Sequence, residues 1–169
     1  MGDDRLFADF VRNRGAALYR YGYLLTGNHH DADDLVQEAL IKVRTRWERV
    51  VRQDDPTGYV RTTMARLHVS WWRRRRRELP SAALPEEPVT DHELDRVETS
   101  AQADRVWAAL AGLPPRQRAV VVLRYYEHLT DPEICVVLGI SRGTVRSQVA
   151  RAFEKLRAAG VPALEEVTS

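Results

Sequence analysis

Two segments of the chain have residue types and spacing that suit binding to a polyanion. In WWRRRRR, Trp71 to Arg77, two tryptophans precede five arginines with no acid among them. In SRGTVRSQVAR, Ser141 to Arg151, arginines, hydroxyls and a glutamine recur on one side of a predicted helix. Arginine binds phosphates and reads guanine, and aromatic rings stack on bases. The chemistry that these residues favour is non-covalent recognition of nucleic acid.

The arginine run continues the outward face of a predicted helix. Asp55 is its expected cap, Pro56 fits the first position, and the helix runs to about Glu78, before a proline. Its apolar stripe is Val60, Met64, Leu67 and Trp71, and its outward stripe is Tyr59, Thr62, Arg66, Ser70, Arg73 and Arg77. Trp72 lies about 100° from Trp71 and belongs to neither stripe. We predict a docking surface here, with a solvated charged face as the alternative.

The segment Leu129 to Gly160 predicts a helix-turn-helix. Thr130 and Glu133 form a capping box, Gly139 ends the first helix, and Ser141 caps the second. The second helix turns Val145, Val149, Ala152 and Leu156 inward. The N-terminal half of such a helix enters the major groove of DNA in this kind of motif. An ordinary charged helix face packed on a protein is the alternative.

The remaining sequence also predicts helices. The first covers about 4–25, and Asp31 is the predicted N-cap of the second. The second helix places Leu35, Ala39, Leu40, Val43 and Trp47 on one apolar face. Because no stretch alternates apolar and polar residues for long, the chain is predicted to be all-α.

The charge distribution predicts two modules. Residues 1–79 carry 16 basic and 11 acidic side chains, and residues 101–160 carry nine basic and five acidic ones. Residues 80–100 between them hold six acids, one base and three prolines. This composition is typical of an extended linker, with a surface loop inside one domain as the alternative. We predict two small helical domains, 1–79 and 101–160, a flexible acidic linker at 80–100 and a tail at 161–169.

Several other kinds of protein receive little support. No apolar run could cross a bilayer and no secretion signal opens the chain, so we expect a cytoplasmic protein without a membrane. The single cysteine, Cys135, excludes an internal disulfide and is expected to be buried. His29 and His30 lack further ligands at metal spacing, so no metal or other cofactor is expected. No clustered carboxylates, nucleophile elbow or phosphate loop indicates an enzyme.

Nearly the whole chain resembles the extracytoplasmic-function sigma factors, the minimal two-domain sigma factors of bacterial RNA polymerase. The segment DADDLVQEALIKVRTRW resembles the family's core-polymerase-binding helix. The segment DPTGYVRTTMARLHVSWWRRRRR resembles its promoter −10 segment, and LPPRQRAVVVLRYYEHLTDPEICVVLGISRGTVRSQVARAFEKLR its −35 domain. The arginine run after paired tryptophans most resembles an actinobacterial subgroup. Domain 1–79 would then be sigma region 2, and domain 101–160 sigma region 4.

The resemblance implies two contacts in region 2. The contact with the clamp helices of the polymerase's largest subunit would use Asp31, Asp33, Asp34, Gln37 and Glu38. The contact with the non-template single strand at −10 would use Tyr59, Arg61, Thr62, Arg66, Arg73, Arg74 and Arg77. An acidic patch suits a basic partner helix, although simple helix capping is the alternative for Asp31 and Asp34.

The resemblance also implies a contact between region 4 and the −35 duplex. Its residues would be Arg116, Arg118, Arg142, Thr144, Arg146, Ser147, Gln148 and Arg151. Gln148 departs from the basic residue frequent in the family, and Cys135 from the usual alanine. In the family, the linker threads toward the polymerase's active-site cleft, where its acids would imitate nucleic acid. An anti-sigma factor is a further partner of many members.

Two other functions compete with this interpretation. A stand-alone helix-turn-helix repressor or activator would account for residues 113–160, but it would leave the acidic helix and the arginine run unassigned. A nuclease would need catalytic groups that the sequence lacks. We therefore predict a sigma factor that binds core RNA polymerase, recognises −35 and −10 elements and helps to open the −10 region.

Overall fold

The computed structural model describes residues 2–78 and 101–161, and every regular element in these two ranges is helical. The N-terminal bundle consists of α1 (Gly2–Thr26), α2 (His29–Arg44), α3 (Trp47–Val50) and α4 (Pro56–Glu78). The C-terminal bundle consists of α5 (Ala101–Ala111), α6 (Pro115–Val121), a π-helical turn (Val122–Tyr126), α7 (Asp131–Leu138) and α8 (Arg142–Ala158). The all-α prediction is confirmed for these residues. The predicted linker and the tail beyond residue 161 lie outside them.

Apolar faces of α1, α2 and α4 form the centre of the N-terminal bundle. Its buried side chains include Leu18, Tyr21, Leu25, Leu35, Ala39, Val43, Val60, Met64 and Leu67. The prediction that Trp47 belongs to the face of α2 is wrong, because α2 ends at Arg44 and Trp47 begins α3. Its ring is still buried, with centroids 5.2 Å from Phe7 and 4.9 Å from Phe10 on α1.

Side-chain caps set where α2 and α4 begin. The N-cap of α2 is Asn28 rather than the predicted Asp31, because the Asn28 side chain accepts a hydrogen bond from the Asp31 backbone N–H at 3.0 Å. Asp31 lies instead in the first turn of α2, where an acid still complements the helix dipole. For α4 the prediction is confirmed, since Asp55 Oδ1 accepts the Gly58 N–H at 2.8 Å and Pro56 is the first helical residue.

The predicted helix-turn-helix is present as α7, a turn and α8. Thr130 and Glu133 form the capping box of α7. Gly139 ends that helix with φ of 63°, a left-handed conformation that glycine adopts readily. Ser141 Oγ accepts the Thr144 N–H at 3.2 Å and so caps α8. The predicted inward residues of α8 are all buried: Val145, Val149, Ala152 and Leu156.

The two bundles pack against each other along α1 and α4. Helices α6 and α7 lie against α4, and α5 and α6 lie against α1. Across this contact, the ring centroids of Tyr21 and Tyr126 are 5.8 Å apart. His68 and Val69 on α4 are buried beside Pro115 of α6. Helix α4 is therefore covered on two sides, which leaves it a narrower exposed face than its sequence stripes predict.

Candidate nucleic-acid interface

Helix α8 presents its predicted DNA-reading residues at the protein surface. Arg142, Arg146, Ser147 and Arg151 are exposed, and Thr144 and Gln148 are half-buried. The first turn of α8 contains no acid, so the positive end of the helix dipole adds to the charge of the arginines. Guanidinium, hydroxyl and amide groups on one exposed helix face can reach base edges and phosphates in a major groove.

Arg146 remains available to an incoming ligand. Its side chain is 74% exposed, and its Nε lies 3.9 Å from Asp131 Oδ2. The Asp131 carboxylate is closer to Arg124, whose Nη2 lies 3.1 Å from Oδ1. Exposed ion pairs of this kind contribute little stability and exchange readily for another anion. A phosphate or a guanine edge can therefore replace Asp131 as the partner of Arg146.

The structure gives Arg118 a role different from the predicted phosphate contact. Its side chain is buried, and its guanidinium donates hydrogen bonds of 2.8–3.0 Å to four backbone carbonyls. Three acceptors close the α5–α6 corner, Leu110, Ala111 and Leu113, and the fourth is Leu25 at the end of α1. Arg118 therefore joins the two bundles, and in this arrangement it does not reach a phosphate.

Close approach of α1 to Arg118 depends on a glycine. A Cβ atom on Gly27 would lie 3.0 Å from Arg118 Nη1, and Gly27 has φ of 70°. Burial lowers the pKa of the Arg118 guanidinium to about 10, and the Tyr23 hydroxyl acts in the opposite direction. The group stays protonated at neutral pH, so all of its donors remain available to the carbonyls.

The predicted −35 residue Arg116 contacts Trp72, which sequence reasoning could not place. The Arg116 guanidinium carbon lies 5.2 Å from the centroid of the Trp72 ring, which is a cation–π geometry. Trp72 is half-buried between the bundles, on the side of α4 that faces α6. The second tryptophan of the opening motif thus belongs to the contact between the bundles.

The predicted polymerase-binding residues lie along one side of α2, in two different environments. Asp33, Asp34 and Gln37 are exposed, whereas Asp31 and Glu38 are half-buried. The half-buried acids are held by α4: Arg75 Nη2 lies 3.3 Å from Asp31 Oδ1, and Trp71 Nε1 donates to Glu38 Oε2 at 2.7 Å. Trp71 is half-buried rather than part of the bundle core. The exposed acids are held only from within α2: Gln37 Nε2 donates to Asp33 Oδ2 at 2.9 Å, and His30 Nε2 lies 3.4 Å from Asp34 Oδ2.

A groove of about 650 Å³ lies between α2 and α4, and among the described residues none from the C-terminal bundle lines it. Of the predicted −10 residues, it contains Tyr59 and Arg66. Other residues that line the groove were not predicted as site residues, among them Ile41, Lys42, Arg46, Thr63 and Ser70. The sequence signals for them were two cations four residues apart, Lys42 near the end of α2 and Arg46 just beyond it, and a serine on the outward stripe of α4. Ile41 carried no such signal, and its 68% exposure is known only from the structure. A ring, hydroxyls and cations around a groove suit an unstacked base and its phosphates.

The other predicted −10 residues do not join this groove. Arg61 Nε lies 2.6 Å from Glu127 Oε1, an ion pair whose N–H direction is not aligned for a hydrogen bond. Arg73 Nη2 donates to the Leu138 carbonyl oxygen at 2.9 Å. Thr62 is half-buried, and Arg74 and Arg77 are exposed near the end of α4. The predicted set therefore divides into residues open to solvent and residues that contact the C-terminal bundle.

Three further observations concern the residues that the structure describes. Within residues 2–78 and 101–161, no group of three or more His, Cys, Asp or Glu side chains could hold a metal ion. In the same ranges, no helix combines the length and apolar character needed to span a membrane. Cys135, which was expected to be buried, is a half-buried free thiol on α7.

Comparison with known proteins separates the chain into the same two parts. Residues 10–78 match the family model described as Sigma-70 region 2, and residues 103–156 match Sigma-70, region 4. The RNA polymerase sigma-E factor of Streptomyces coelicolor is 38% identical, with 93% of this chain and 87% of the relative aligned. The ECF RNA polymerase sigma factor SigE of Mycolicibacterium smegmatis is 37% identical, over 88% of this chain and 59% of the relative.

Solved structures share the fold. The sigma factor RpoE of Bartonella quintana, in complex with the anti-sigma factor NepR, superposes with a TM-score of 0.65 at 24% identity, covering 96% of this chain and 98% of the other. CnrH in complex with the cytosolic domain of CnrY gives a TM-score of 0.51 at 25% identity, covering 99% and 92%. Because regions 2 and 4 match in order and relatives at this identity align over most of the chain, the protein belongs to the extracytoplasmic-function sigma factors of the sigma-70 family, which bind core RNA polymerase and direct it to promoters.

Proposed function

We propose that the work of this sigma factor is divided among three surfaces, each defined by its own residues. The exposed face of α8 reads the −35 duplex. The groove between α2 and α4, with the arginines at the end of α4, holds the non-template strand at −10. The exposed acids of α2 bind the clamp helices of the polymerase. The protein supplies binding and positioning inside the cell, and the core enzyme supplies the chemistry.

The observation that carries this proposal is the open polar face of α8 on a capped helix-turn-helix. Arg142, Arg146 and Arg151 are exposed to solvent on α8, while its inward residues Val145 and Val149 are buried. Helices placed in this way enter a major groove, and a bidentate arginine–guanine contact is worth about 1–3 kcal/mol of discrimination. The same face would make a poor protein-packing surface, because it would desolvate several charges at once.

The −10 assignment rests on the groove. Tyr59 supplies a ring, Thr63 and Ser70 supply hydroxyls, and Arg66 and Lys42 supply cations around a concave space. A base lifted from its stack needs an aromatic or apolar wall, and its phosphates need cations. We therefore extend the predicted −10 set to the groove residues of α2, and we assign to Arg74 and Arg77 the role of phosphate contacts.

The polymerase contact is assigned to Asp33 and Asp34. Both carboxylates are exposed on the first half of α2, with no arginine of α4 holding them. Asp34 has a nearby histidine, since His30 Nε2 lies 3.4 Å from its Oδ2. Exposed acids steer association with a basic partner and are readily exchanged from surface pairs. Gln37 lies one turn further along the same face and completes the patch.

A reconstituted transcription assay tests the division. Core polymerase from an actinobacterium is mixed with the protein and a pool of promoter fragments, and transcripts are mapped. Asp34→Lys should abolish both core binding and transcription, whereas Glu48→Lys, the same single charge reversal at an exposed residue of α3, should leave both intact. Arg146→Ala should retain core binding but lose promoter discrimination. A protein that binds duplex DNA yet never supports a polymerase-dependent start would instead be a stand-alone repressor or activator.

A further inference from the structure

One carboxylate lies between two arginines at the edge of the proposed −35 surface. Asp131 is the first residue of α7, and its side chain is only 17% exposed. Its two oxygens face different cations: Arg124 Nη2 lies 3.1 Å from Oδ1, and Arg146 Nε lies 3.9 Å from Oδ2. Arg124 belongs to the π-helical turn and is 33% exposed, whereas Arg146 on α8 is 74% exposed. An inner ion pair thus supports an exposed outer arginine.

The acid lies where a helix-turn-helix protein usually meets phosphate. The first helix of such a motif crosses the DNA backbone, and the N-terminal end of a helix favours an anion. Asp131 places a negative charge at that end of α7. An uncompensated carboxylate there would repel phosphates and weaken binding to every duplex. Because Arg124 and Arg146 offset its charge, the acid can lie close to DNA.

The side of Arg146 that Asp131 meets determines which donors remain for DNA. A guanidinium presents five N–H donors in one plane, one on Nε and two on each terminal nitrogen. Asp131 Oδ2 faces Nε, so the two terminal nitrogens are left for another acceptor. Guanine presents O6 and N7 side by side in the major groove, and arginine binds both at once. A guanine edge can therefore bind Arg146 while Asp131 stays at Nε.

The hydroxyls beside Arg146 are already engaged within the protein. Thr144 Oγ1 lies 2.9 Å from Ser141 Oγ, and Ser147 Oγ donates to the Thr144 carbonyl oxygen at 3.0 Å. Ser147 therefore uses its only hydroxyl proton inside α8 and offers only lone pairs to DNA. In the stretch 144–148, the bidentate donor suited to guanine is Arg146.

We propose that Asp131 is a positioning residue for −35 recognition. Anchored by Arg124, it holds Nε of Arg146 so that the terminal nitrogens of Arg146 meet one guanine bidentately. An arginine side chain is flexible, and fixing its direction before binding lowers the entropy lost in the complex. The inference rests on the proposed role of α8 and identifies the acid that sets its base preference.

The outer pair should contribute little to the free protein and more to the complex. At 3.9 Å and 74% exposure, water screens the attraction between Asp131 and Arg146. A base edge against Arg146 excludes part of that water, which strengthens the charge pair on the inner side of the guanidinium. Removing the carboxylate should therefore change base discrimination more than folding stability.

The test uses holoenzyme assembled from the full-length protein and core polymerase from an actinobacterium. The preferred −35 duplex is selected from a randomised pool with wild type. Four fluorescent duplexes then differ only at the base pair where Arg146→Ala relaxes the preference, and anisotropy gives the Kd of each. Asp131→Asn removes the charge and keeps the shape, and Glu154→Gln makes the same charge change at an exposed residue of α8. Denaturant unfolding of the free variants measures their stability.

Wild type should prefer guanine at this base pair. Asp131→Asn should reduce the preference by about threefold to tenfold, and Asp131→Glu, which keeps a carboxylate, should restore part of it. Glu154→Gln should leave the preference unchanged. Any gain in affinity common to all four duplexes should be the same for Asp131→Asn and Glu154→Gln, since each removes one negative charge. In an Arg146→Ala background, Asp131→Asn should not change the preference further.

The control variants separate the ways in which the inference can fail. An unchanged preference in Asp131→Asn, with the preference relaxed in Arg146→Ala, would show that the acid does not position the arginine. An affinity gain larger than that of Glu154→Gln and equal on all four duplexes would make Asp131 a repulsive charge only. A large loss of stability with the preference retained would make its role structural.

Failure of the proposed −35 reading would have a different signature. Arg146→Ala would then weaken binding by the same factor whichever base pair is changed, and no position would respond to it selectively. That result would refute base reading by Arg146 and, with it, the positioning role of Asp131. A selective response to Arg146→Ala without one to Asp131→Asn would refute the positioning role alone.

Discussion

The two helices proposed to meet DNA, α8 and α4, differ in how much of their polar surface the protein itself covers. On α8, four of the six predicted residues are exposed, and the charged pair to Arg146 is long and weak. On α4, Arg61 and Arg73 contact the C-terminal bundle, and Trp72 lies under an arginine. The proposed duplex-reading surface is thus exposed to solvent, whereas the proposed strand-binding surface is exposed only in part.

This difference arises because the contacts that shape α8 are local in sequence, whereas those that cover α4 come from distant residues. The helix-turn-helix is built by caps and a glycine turn within a few residues, so its exposed face is fixed locally. The partners of α4 come from residues more than 60 positions away, so its free surface depends on how the two bundles meet. We therefore expect a change in the packing between the two bundles to alter the proposed strand binding and to leave the proposed duplex reading unaffected.

The largest expected effect is on the link between the bundles. Arg118→Met should lower the free energy of unfolding by about 3 kcal/mol or more, because four buried carbonyls lose their donor. Denaturant unfolding followed by circular dichroism measures the loss. Arg116→Met, at a half-buried arginine on the same helix, should cost less than about 1 kcal/mol. Equal, small losses for both variants would mean that the buried guanidinium contributes little.

A smaller effect is expected on the open face of α8. Arg146→Ala should weaken binding to the preferred −35 duplex by about 1–3 kcal/mol and reduce discrimination between duplexes. Fluorescence anisotropy with matched and mutated duplexes measures both changes. Arg157→Ala, near the far end of α8, is the control. Loss of affinity by the same factor on every duplex would make Arg146 a phosphate contact only.

A pH-dependent effect of about 1 kcal/mol is expected on the side of α4 that packs against the C-terminal bundle. Burial between the bundles lowers the pKa of His68 to about 4, Arg118 and Arg75 lower it further, and Asp31 opposes them. The unfolded chain gains a proton at His68 below about pH 6.5, and the folded protein does not, so the stability of the folded protein should fall as pH falls from about 6.5 toward 4.

Comparison with His68→Gln isolates this contribution from other titrating groups. Unfolding is measured at about pH 7.5 and about pH 5.5 for both proteins, and wild type should lose about 1 kcal/mol more than the variant. An identical pH dependence in both proteins would exclude His68 as the source.

The smallest expected effect is on the cap of the recognition helix. Ser141→Ala should cost about 1 kcal/mol or less, because the Thr144 N–H loses its side-chain acceptor but can bind water. Ser141→Asp, which retains an acceptor, should restore stability. Thermal unfolding compares the two variants. No loss in the alanine variant would imply that α8 is fixed by packing alone.

The features predicted correctly from sequence are those with a local cause. Gly139 and Ser141 act on backbone groups within four residues, and the start of α4 at Pro56 follows from its own cap. The cap of α2 was misassigned because Asn28 and Asp31 are both good caps, and only the backbone path decides between them. Trp47 kept its apolar spacing but lay beyond the end of α2, which periodicity alone does not define.

The features that sequence could not predict depend on distant partners. The sequence alone predicts that Arg118 is a surface cation, because its hydrogen bond to the Leu25 carbonyl joins residues that are 93 positions apart in the chain. In the sequence, Arg61 and Arg73 have the side chains expected of phosphate contacts. Nothing in the sequence shows that Glu127 and the Leu138 carbonyl are their partners in the fold. The exposed face of a helix follows from its own periodicity only when one neighbour covers it, and α4 has neighbours on two sides.

The hydrogen bonds of Arg118 also indicate how the bundles could part. Three of its four acceptors belong to the C-terminal bundle, and only the Leu25 carbonyl belongs to the other. Parting would free a single donor and a single acceptor to water, while the guanidinium stays anchored in its own corner. Neither bundle would need to melt, and the same bond could form again on return. The contact is therefore reversible: Arg118 keeps its three hydrogen bonds within the C-terminal bundle, and only its bond to the Leu25 carbonyl breaks and re-forms.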